Sequence, residues 1–309
     1  MNKIVIAIHG GAGTILRQSM TAEKEKAYTD ALDHALQLGY NTLHQGGSAI
    51  DAVERAVAEL EDSPLFNAGK GSVFTSEGTH EMDASIMNGD DLNAGAVSMI
   101  KGIKNPVRLA RLVMEKSGHV FLAGDGAEAF AKSMGCTFED ADYFFDEFRY
   151  QQWLEVKDTD KTQLDHAAIK DKKFGTVGAV ACVAKGNLAA ATSTGGMTNK
   201  KFGRVGDSPM IGAGNYANNE TCAVSCTGSG EYFIRGVVAY DVSCLVEYKG
   251  MSLSEACDEV IHHRLKGLGG DGGLIAIDSN CNICMPFNTE GMYRASINAK
   301  GDKLIGIYK

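Results

Sequence analysis

The sequence has no long apolar run and no excess of positive charge. None of its apolar stretches approaches the roughly 20 residues that a membrane-spanning helix needs. The net charge of −9 on 309 residues makes nucleic acid and an anionic membrane surface poor partners. The apolar opening at residues 1–8 precedes a glycine-rich stretch and lacks a small-residue cleavage site. We therefore interpret it as the buried first strand of a cytoplasmic protein.

Motifs for metals and nucleotides are incomplete. The chain has eight cysteines, which we expect to be reduced core residues because no export signal accompanies them. Cys281 and Cys284 form a lone C-x-x-C, and Cys222 and Cys226 have the spacing of a strand, so zinc binding is the less favoured interpretation. The HGGAG motif at residues 9–13 lacks the P-loop lysine and the full dinucleotide fingerprint, and it predicts a flexible turn. No redox or organic cofactor is expected.

A polar segment at about residues 157–175 meets a run of small and β-branched residues that begins at Thr176. The polar segment is typical of an exposed linker, and the run predicts a buried strand. A threonine hydroxyl is a weak nucleophile unless a base lies beside it, and the nearest base is its own α-amino group. That amine is free only if the Gly175–Thr176 bond is broken. The sequence therefore suggests a chain that cuts itself to become active.

A turn at residues 185–187 joins this run to a second apolar run at residues 188–193. In an antiparallel hairpin with this turn, Thr194 lies within about two positions of Thr176. Two hydroxyl groups would then meet at one end of the hairpin. Threonine is also a common strand residue, so the pairing alone is compatible with a purely structural role.

The residues around this hairpin carry a detailed resemblance to a known family. They read TVGAVA at 176–181, GNLAAATSTGG at 186–196, TNK at 198–200, GRVGDSP at 203–209 and IGAG at 211–214. This pattern resembles the plant-type asparaginase and isoaspartyl peptidase family, whose members are N-terminal-nucleophile hydrolases. The similarity extends from the HGGAG motif to GGDGG at residues 269–273. In the family the HGGAG loop is associated with mobility and correct maturation.

Two further pairs of residues are candidates for substrate binding. Arg204 and Asp207 could hold the carboxylate and the ammonium group of an amino acid, and a local surface pair is the alternative. Thr227 and Gly228 end a strand before a helix, where amide donors suit an oxyanion, and a plain turn is the alternative. The resemblance favours substrate binding by both pairs. It also implies an oxyanion hole made by the Thr227 hydroxyl and the Gly228 amide, and a nucleophilic Thr176 oriented by Thr194.

Helix and strand patterns follow an order typical of antiparallel sheets with helices outside them. Capping boxes at Ser48 with Asp51 and at Ser252 with Glu255 mark two helix starts. The other predicted helices are at about residues 21–39, 106–118, 126–135, 143–156 and 230–248, and further strands are at 82–87, 92–99, 272–278, 283–287, 292–297 and 304–308. The resemblance implies an α+β fold, the four-layer αββα sandwich of N-terminal-nucleophile hydrolases, with residues 1–309 as one domain.

The resemblance also assigns a cation to the loop after the second helix. In the family the equivalent loop holds a structural sodium ion through main-chain carbonyls, which here belong to Leu60, Glu61, Ser63, Phe66, Ala68 and Lys70. A hard cation accepts backbone oxygens whatever the side chain, so residue identity does not test this assignment. A solvated helix-to-strand loop is the alternative.

We therefore expect an autoprocessing amidohydrolase of β-aspartyl bonds. It would act on isoaspartyl dipeptides and on the side-chain amide of L-asparagine, and release L-aspartate from a covalent β-aspartyl-threonine intermediate. Self-cleavage would give residues 1–175 and 176–309, and the resemblance implies an (αβ)2 assembly. A glycosylasparaginase shares the fold, although its lysosomal form would have a signal peptide, paired cysteines and Asp before the threonine. A non-catalytic protein on the same scaffold is the other alternative.

Overall fold

The strands of this protein form two sheets. The structure is a computed structural model that describes residues 4–157, 159 and 175–309. Its strands are β1 (Val5–Gly13), β2 (Met82–Asn88), β3 (Ala94–Ile100), β4 (Phe121–Ala123), β5 (Val177–Cys182), β6 (Leu188–Thr194), β7 (Asn215–Ala217), β8 (Cys222–Gly228), β9 (Gly272–Asp278), β10 (Ile283–Cys284), β11 (Gly291–Ile297) and β12 (Lys303–Tyr308). An eight-stranded sheet has the order β12-β11-β1-β5-β6-β2-β3-β4, and a four-stranded sheet has the order β10-β9-β8-β7. Neighbouring strands are antiparallel except β3 and β4.

The helices cover the two sheets. They are α1 (Ala22–His44), α2 (Ala49–Asp62), α3 (Pro106–Lys116), α4 (Gly124–Ser133), α5 (Ala141–Phe144), α6 (Glu147–Leu154), α7 (Gly230–Gly236), α8 (Val238–Lys249) and α9 (Leu253–Asp258). The first three contact the eight-stranded sheet, and α8 and α9 contact the four-stranded sheet. The sheets face each other, because β1 and β5 contact β8 and β9, and β6 contacts β7 and β8. In the described ranges, no helix has both the length and the apolar character to cross a membrane.

The strand that follows Thr176 is buried on both faces. Along β5, Val177 and Ala179 belong to the hydrophobic core that includes α1, α2 and α3. Val180 and Cys182 belong to a second core shared with strands of the four-stranded sheet. Because side chains alternate between the faces of a strand, a run of small and β-branched residues can lie between two packed layers. The prediction of a buried strand here is confirmed.

Both predicted capping boxes are present. Ser48 Oγ accepts from the Asp51 N–H at 3.2 Å, and Asp51 Oδ2 accepts from the Ser48 N–H at 3.1 Å. Ser252 and Glu255 make the same reciprocal bonds at the start of α9. Each pair satisfies donors that a helix start otherwise leaves free, which explains why these boundaries were predictable from local sequence.

The HGGAG motif is not a flexible turn, contrary to prediction. Residues 9–13 complete β1, are buried, and pair with β11 as far as Gly13 with Gly291. A bulge between His9 and Gly11 shifts the register, and Gly11 has φ +114°, a conformation that favours glycine. The glycines therefore serve a distorted strand. Its partner lies near the other end of the chain, so local sequence gave no sign of the pairing.

Two long predicted helices are each divided in two. The helix predicted at residues 143–156 is replaced by α5 and α6, and the one predicted at 230–248 is divided between α7 and α8 at Val237, which has φ +48°. The first amides of α8 donate to carbonyls of a neighbouring loop, as from Tyr240 to Gly212 at 2.8 Å. Tertiary contacts thus override a continuous helical pattern. Of the predicted linker, residues 158 and 160–174 lie outside the described residues.

Candidate active site

Strands β5 and β6 bring two threonine hydroxyls together. The strands pair in register as far as Val177 with Ser193, so the next pair is Thr176 with Thr194. The Thr176 hydroxyl donates to Thr194 Oγ1 at 3.1 Å, and the Gly196 N–H donates to the same oxygen at 3.0 Å. The predicted meeting of the two hydroxyls is confirmed. Thr194 therefore orients the Thr176 side chain through a hydroxyl that is itself held by the backbone.

Thr176 faces a cavity that several of the predicted site residues share. Among the residues lining it are Thr176, Thr194, Arg204, Asp207 and Gly228. Thr227 does not line it, and its buried hydroxyl accepts a hydrogen bond from the Ala12 N–H at 3.2 Å. The structure thus places the hydroxyl pair, the charged pair and one of the two predicted oxyanion donors around a single space.

Asn67 packs against the residue before Thr176. A Cβ on Gly175 would lie less than 3.0 Å from the backbone nitrogen of Asn67, so only glycine fits there. The Asn67 amide is fixed at both ends, because Nδ2 donates to the Gly196 carbonyl at 2.6 Å and Oδ1 accepts from the Val73 N–H at 3.0 Å. Asn67 also lines the cavity. Sequence reasoning missed Asn67. The glycine at position 175 was the one local sign that another group packs closely against the bond before Thr176.

Arg204 is held by a carboxylate that sequence reasoning also missed. Its Nε donates to Glu231 Oε1 at 2.8 Å, and Glu231 lies in the first turn of α7. Among the described residues no other side chain bonds this guanidinium, so its terminal nitrogens are available to a ligand. An acidic residue in the first turn is favourable in most helices. Sequence alone therefore offered no reason to connect Glu231 with Arg204.

Asp207 is a buried carboxyl with an open acceptor. It is 4% exposed, and its Oδ2 accepts no hydrogen bond from the described part of the chain. Burial raises the pKa of Asp207 to about 7, and the positive charge of Arg204 opposes that rise. A Cβ on Gly214 or Gly230 would lie less than 3.0 Å from a carboxylate oxygen, so the surroundings are tight. An open acceptor beside an arginine suits the ammonium and carboxylate of an amino acid.

The loop after α2 is tightly wound around its own carbonyls. A Cβ on Gly69 would lie less than 3.0 Å from the Glu61 carbonyl oxygen, and one on Gly71 would overlap the Phe66 carbonyl oxygen. Glycine at both positions lets the chain close onto main-chain oxygens, which are the ligands that a hard cation prefers. The described residues contain no cluster of His, Cys, Asp and Glu side chains that could hold a metal ion. Any cation here would therefore depend on backbone ligands.

Comparison with known proteins gives one family. A family model described as asparaginase matches residues 2–307. An isoaspartyl peptidase of Salmonella typhimurium is 53% identical over 312 residues, covering 100% of both chains. An isoaspartyl peptidase of Escherichia coli is also 53% identical and covers 100% of this chain and 97% of its own length. An isoaspartyl peptidase/L-asparaginase of Rattus norvegicus is 48% identical and covers 95% of this chain and 86% of its own.

Proposed function

This chain belongs to the asparaginase family and is a hydrolase of β-aspartyl bonds, and we propose that it cuts its own chain before Thr176 to become active. We propose isoaspartyl dipeptides and L-asparagine as its substrates and L-aspartate as its product, in line with relatives named isoaspartyl peptidase and isoaspartyl peptidase/L-asparaginase. One observation carries this proposal. The Thr176 hydroxyl lies 3.1 Å from Thr194 on the cavity that Arg204 and Asp207 also line.

Recognition rests on the charged end that both substrates share. The terminal nitrogens of Arg204 bind the α-carboxylate, and Asp207 Oδ2 accepts a hydrogen bond from the α-ammonium group. The orphan acceptor on Asp207 supports this assignment, since a buried carboxylate oxygen without a donor is costly. With the α-carbon fixed in this way, the side-chain carbonyl of the substrate reaches the Thr176 hydroxyl.

The reaction uses groups of Thr176 itself. In self-cleavage the Thr176 hydroxyl attacks the Gly175 carbonyl carbon, the Thr176 nitrogen leaves as the free amine, and water hydrolyses the resulting ester to a carboxylate on Gly175 and the restored hydroxyl. That amine accepts the hydroxyl proton while Oγ1 attacks the β-carbonyl, and it then returns the proton to the departing ammonia or peptide amine. A second water hydrolyses the β-aspartyl ester and restores the hydroxyl. Thr194 orients the attacking oxygen throughout, and the scheme requires no redox or organic cofactor.

The negative charge that develops on the substrate carbonyl needs donors. The Gly228 amide is available at the cavity wall. The Thr227 hydroxyl lies behind that wall, where it accepts from the Ala12 N–H and retains its own proton, and it would turn that proton towards the oxyanion once substrate is bound. Gly228 also adopts φ +152°, next to the carbonyl of Asp271, where a Cβ would overlap. We propose these two groups as the oxyanion hole.

Three wider features belong to the same proposal. The facing sheets and outer helices constitute the four-layer αββα sandwich, with residues 1–309 as one domain that splits into residues 1–175 and 176–309. Two such pairs assemble as (αβ)2, in a cytoplasmic enzyme. The carbonyl-rich loop after α2 holds a structural sodium ion, which would brace the loop that carries Asn67.

The Thr176→Ala variant tests self-cleavage. Wild-type protein should become two fragments, residues 1–175 and 176–309, in intact-mass spectra, and Thr176→Ala should keep the full mass of 32.8 kDa. Thr176→Ser keeps a hydroxyl and serves as the matched control, which should still be cut. Cleavage of Thr176→Ala at the same bond would show that an external protease is responsible.

The Arg204→Ala variant tests recognition apart from maturation. It should lose measurable binding of L-asparagine but still cut itself, because the bond before Thr176 presents no free α-carboxylate to Arg204. Isothermal titration with L-asparagine measures the first property, and intact-mass spectra measure the second. A variant that is cut and retains the wild-type KM would assign Arg204 a structural role only.

A further inference from the structure

The main-chain ladder between β1 and β5 ends at Gly178, two residues after Thr176 in the chain. Its last pair is His9 with Gly178, and the bulge after His9 removes the next residues of β1 from register. The Thr176 carbonyl therefore has no ladder donor from β1. The imidazole of His9 takes that place, with Nδ1 at 3.1 Å from the Thr176 carbonyl oxygen.

The contacts of His9 leave one protonation state for its ring. A carbonyl oxygen only accepts hydrogen bonds, so Nδ1 must carry the proton that faces Thr176. Burial lowers the pKa of His9 to about 3, which keeps the fully buried ring neutral near pH 7. A neutral ring has one N–H, so Nε2 is an acceptor. Ser225 Oγ lies 2.9 Å from Nε2 and must donate to it.

Buried groups behind Ser225 can supply it with a donor, which leaves its own proton for His9. Thr192 Oγ1 lies 2.6 Å from Ser225 Oγ and 3.1 Å from the Gly214 carbonyl oxygen, so its single proton has two acceptors within reach. Since the serine proton is used on His9, the shorter contact requires that the threonine donate to Ser225, and the Gly214 carbonyl still accepts from the Cys226 N–H at 2.9 Å. Asn215 Nδ2 then donates to Thr192 Oγ1 at 3.4 Å, and its 3.3 Å contact with the Ser85 carbonyl identifies that atom as the nitrogen. The donors therefore run one way, from an amide through two hydroxyls to the imidazole.

The backbone is shaped to admit this arrangement. A Cβ on Gly178 would lie less than 3.0 Å from both His9 Nε2 and Ser225 Oγ. Gly178 has no positive φ, so a side chain is excluded here by its neighbours, chiefly the imidazole and the hydroxyl, with the Ala191 carbonyl oxygen at 3.0 Å. Strand β5 thus has a glycine at the position where the His9 imidazole lies against it.

We propose that His9 is a positioning residue for Thr176, held by Ser225 in the Nδ1–H form so that it fixes the Thr176 carbonyl. The inference rests on the proposed function, in which the bond before Thr176 is cut. After the cut, the only covalent anchor of Thr176 is its peptide bond to Val177, and rotation about the N–Cα bond of Val177 would swing the amine and the hydroxyl together away from Thr194 and the cavity. A hydrogen bond to the Thr176 carbonyl fixes the plane of that peptide unit, restrains this rotation, and keeps the hydroxyl and its amine base at the cavity.

The ring tautomer can be read without any turnover. In long-range 1H–15N spectra of protein labelled at its eight histidines, the His9 signal is identified by its loss in His9→Asn. We expect Nδ1 protonated and Nε2 bare at pH 7, in uncut Thr176→Ala protein as well as in wild type. A protonated Nε2, or an imidazolium, would overturn the inference even if the enzyme is active, so this result is independent of the proposed function.

Kinetics test the consequence for catalysis. His9→Ala should lower kcat for L-asparagine about tenfold or more, normalised to the fraction cut, with KM changed by less than about twofold. His9→Asn restores a side-chain donor near the Nδ1 position and should recover part of kcat. Equal losses in His9→Ala and His9→Asn, or a loss confined to KM, would contradict the positioning role.

Ser225→Ala should lower kcat and reduce the Nδ1–H population. Its matched control is Ser243→Ala, which removes another fully buried serine hydroxyl, bonded to Thr221 Oγ1 at 2.7 Å away from Thr176. The control should keep kcat and the wild-type tautomer. If the two variants lower kcat equally, then removing any buried hydroxyl disturbs the site, and a specific role of Ser225 is contradicted. Failure of wild type to turn over either substrate would refute the proposed function, and the spectra would still report on His9.

Discussion

Asp207 should make substrate binding depend on pH near neutrality. Burial raises the pKa of its carboxyl to about 7. Only the ionised form attracts the ammonium group of L-asparagine, so KM should fall as the pH rises through about 7 and level off above it. The substrate keeps both of its α-charges between about pH 5 and 7.5. His9 does not titrate in that window, because burial lowers its pKa to about 3.

The size of the effect follows from a single proton with a pKa of about 7. One unit below that pKa about a tenth of the enzyme is ionised at Asp207, and two units below it about a hundredth. KM at pH 6 and at pH 5 should therefore be about 10 and about 100 times its plateau value. Asp207→Asn keeps the shape of the side chain and never ionises, so it should show a high KM without this slope.

The assay is the initial rate of ammonia release from L-asparagine across that pH range. kcat and KM are fitted separately, because protonation of the Thr176 amine affects kcat, whereas protonation of Asp207 affects substrate binding and therefore KM. A wild-type KM that stays constant between about pH 5 and 7.5 would refute the role of Asp207 as the ammonium partner. The same conclusion would follow if Asp207→Asn kept the wild-type slope.

The same ionisation should lower the free energy of unfolding as the pH rises, although it strengthens substrate binding. Folding raises the pKa of Asp207 from 3.8 to about 7, so the folded chain binds this proton more tightly than the unfolded chain. Below the lower value the group has no effect on the free energy of unfolding. As the pH rises towards the higher value, its ionisation destabilises the fold by up to about 4 kcal/mol. In urea titrations, Asp207→Asn should therefore gain stability over wild type at about pH 8 and little at about pH 4.

Three other perturbations have defined outcomes. Glu231→Gln should raise KM for L-asparagine about threefold with kcat nearly unchanged in steady-state kinetics, because a neutral amide holds Arg204 less firmly. Gly178→Ala should lower the free energy of unfolding by about 2 kcal/mol or more, since its Cβ would overlap Ser225 Oγ. The control is Gly126→Ala, whose added Cβ would have no atom within 4 Å, and it should be neutral or stabilising. Thermal unfolding measures both variants. After cleavage, the two fragments should elute together in size-exclusion chromatography and separate only in denaturant.

The meeting of Thr176 and Thr194 was predictable because a short turn determines the register of a hairpin. Every residue between the two threonines belongs to one continuous local pattern, so no distant contact was needed to place them. The capping boxes at Ser48 and Ser252 were predictable for the same reason, since each is completed within one helical turn. Local chemistry thus located the nucleophile and the helix starts.

Residues that act on the nucleophile from other elements were not predictable in this way. His9 lies in a glycine-rich stretch whose strand conformation depends on β11, at the far end of the chain. Asn67 lies in a loop, and its importance comes from the close approach of Gly175. In the sequence, Glu231 is an acidic residue in the first turn of a helix, and only the folded structure shows that it bonds to Arg204. In each case the informative contact is tertiary. For His9 and Asn67 the nearest local sign was a glycine that leaves room for the neighbouring side chain, and Glu231 had no such sign.

The position of the proposed cut within the sheet explains how a divided chain would keep its active site. The strands before the cut do not form a layer of their own, because β1 lies between β11 and β5 and β2 lies beside β6. Separating the two pieces would break the β1–β11, β1–β5 and β2–β6 ladders together. His9 and Asn67 come from the first piece, and Thr194, Arg204 and Asp207 come from the second. Breaking one peptide bond would therefore free the amine of Thr176 and leave the strand that carries it locked between its neighbours.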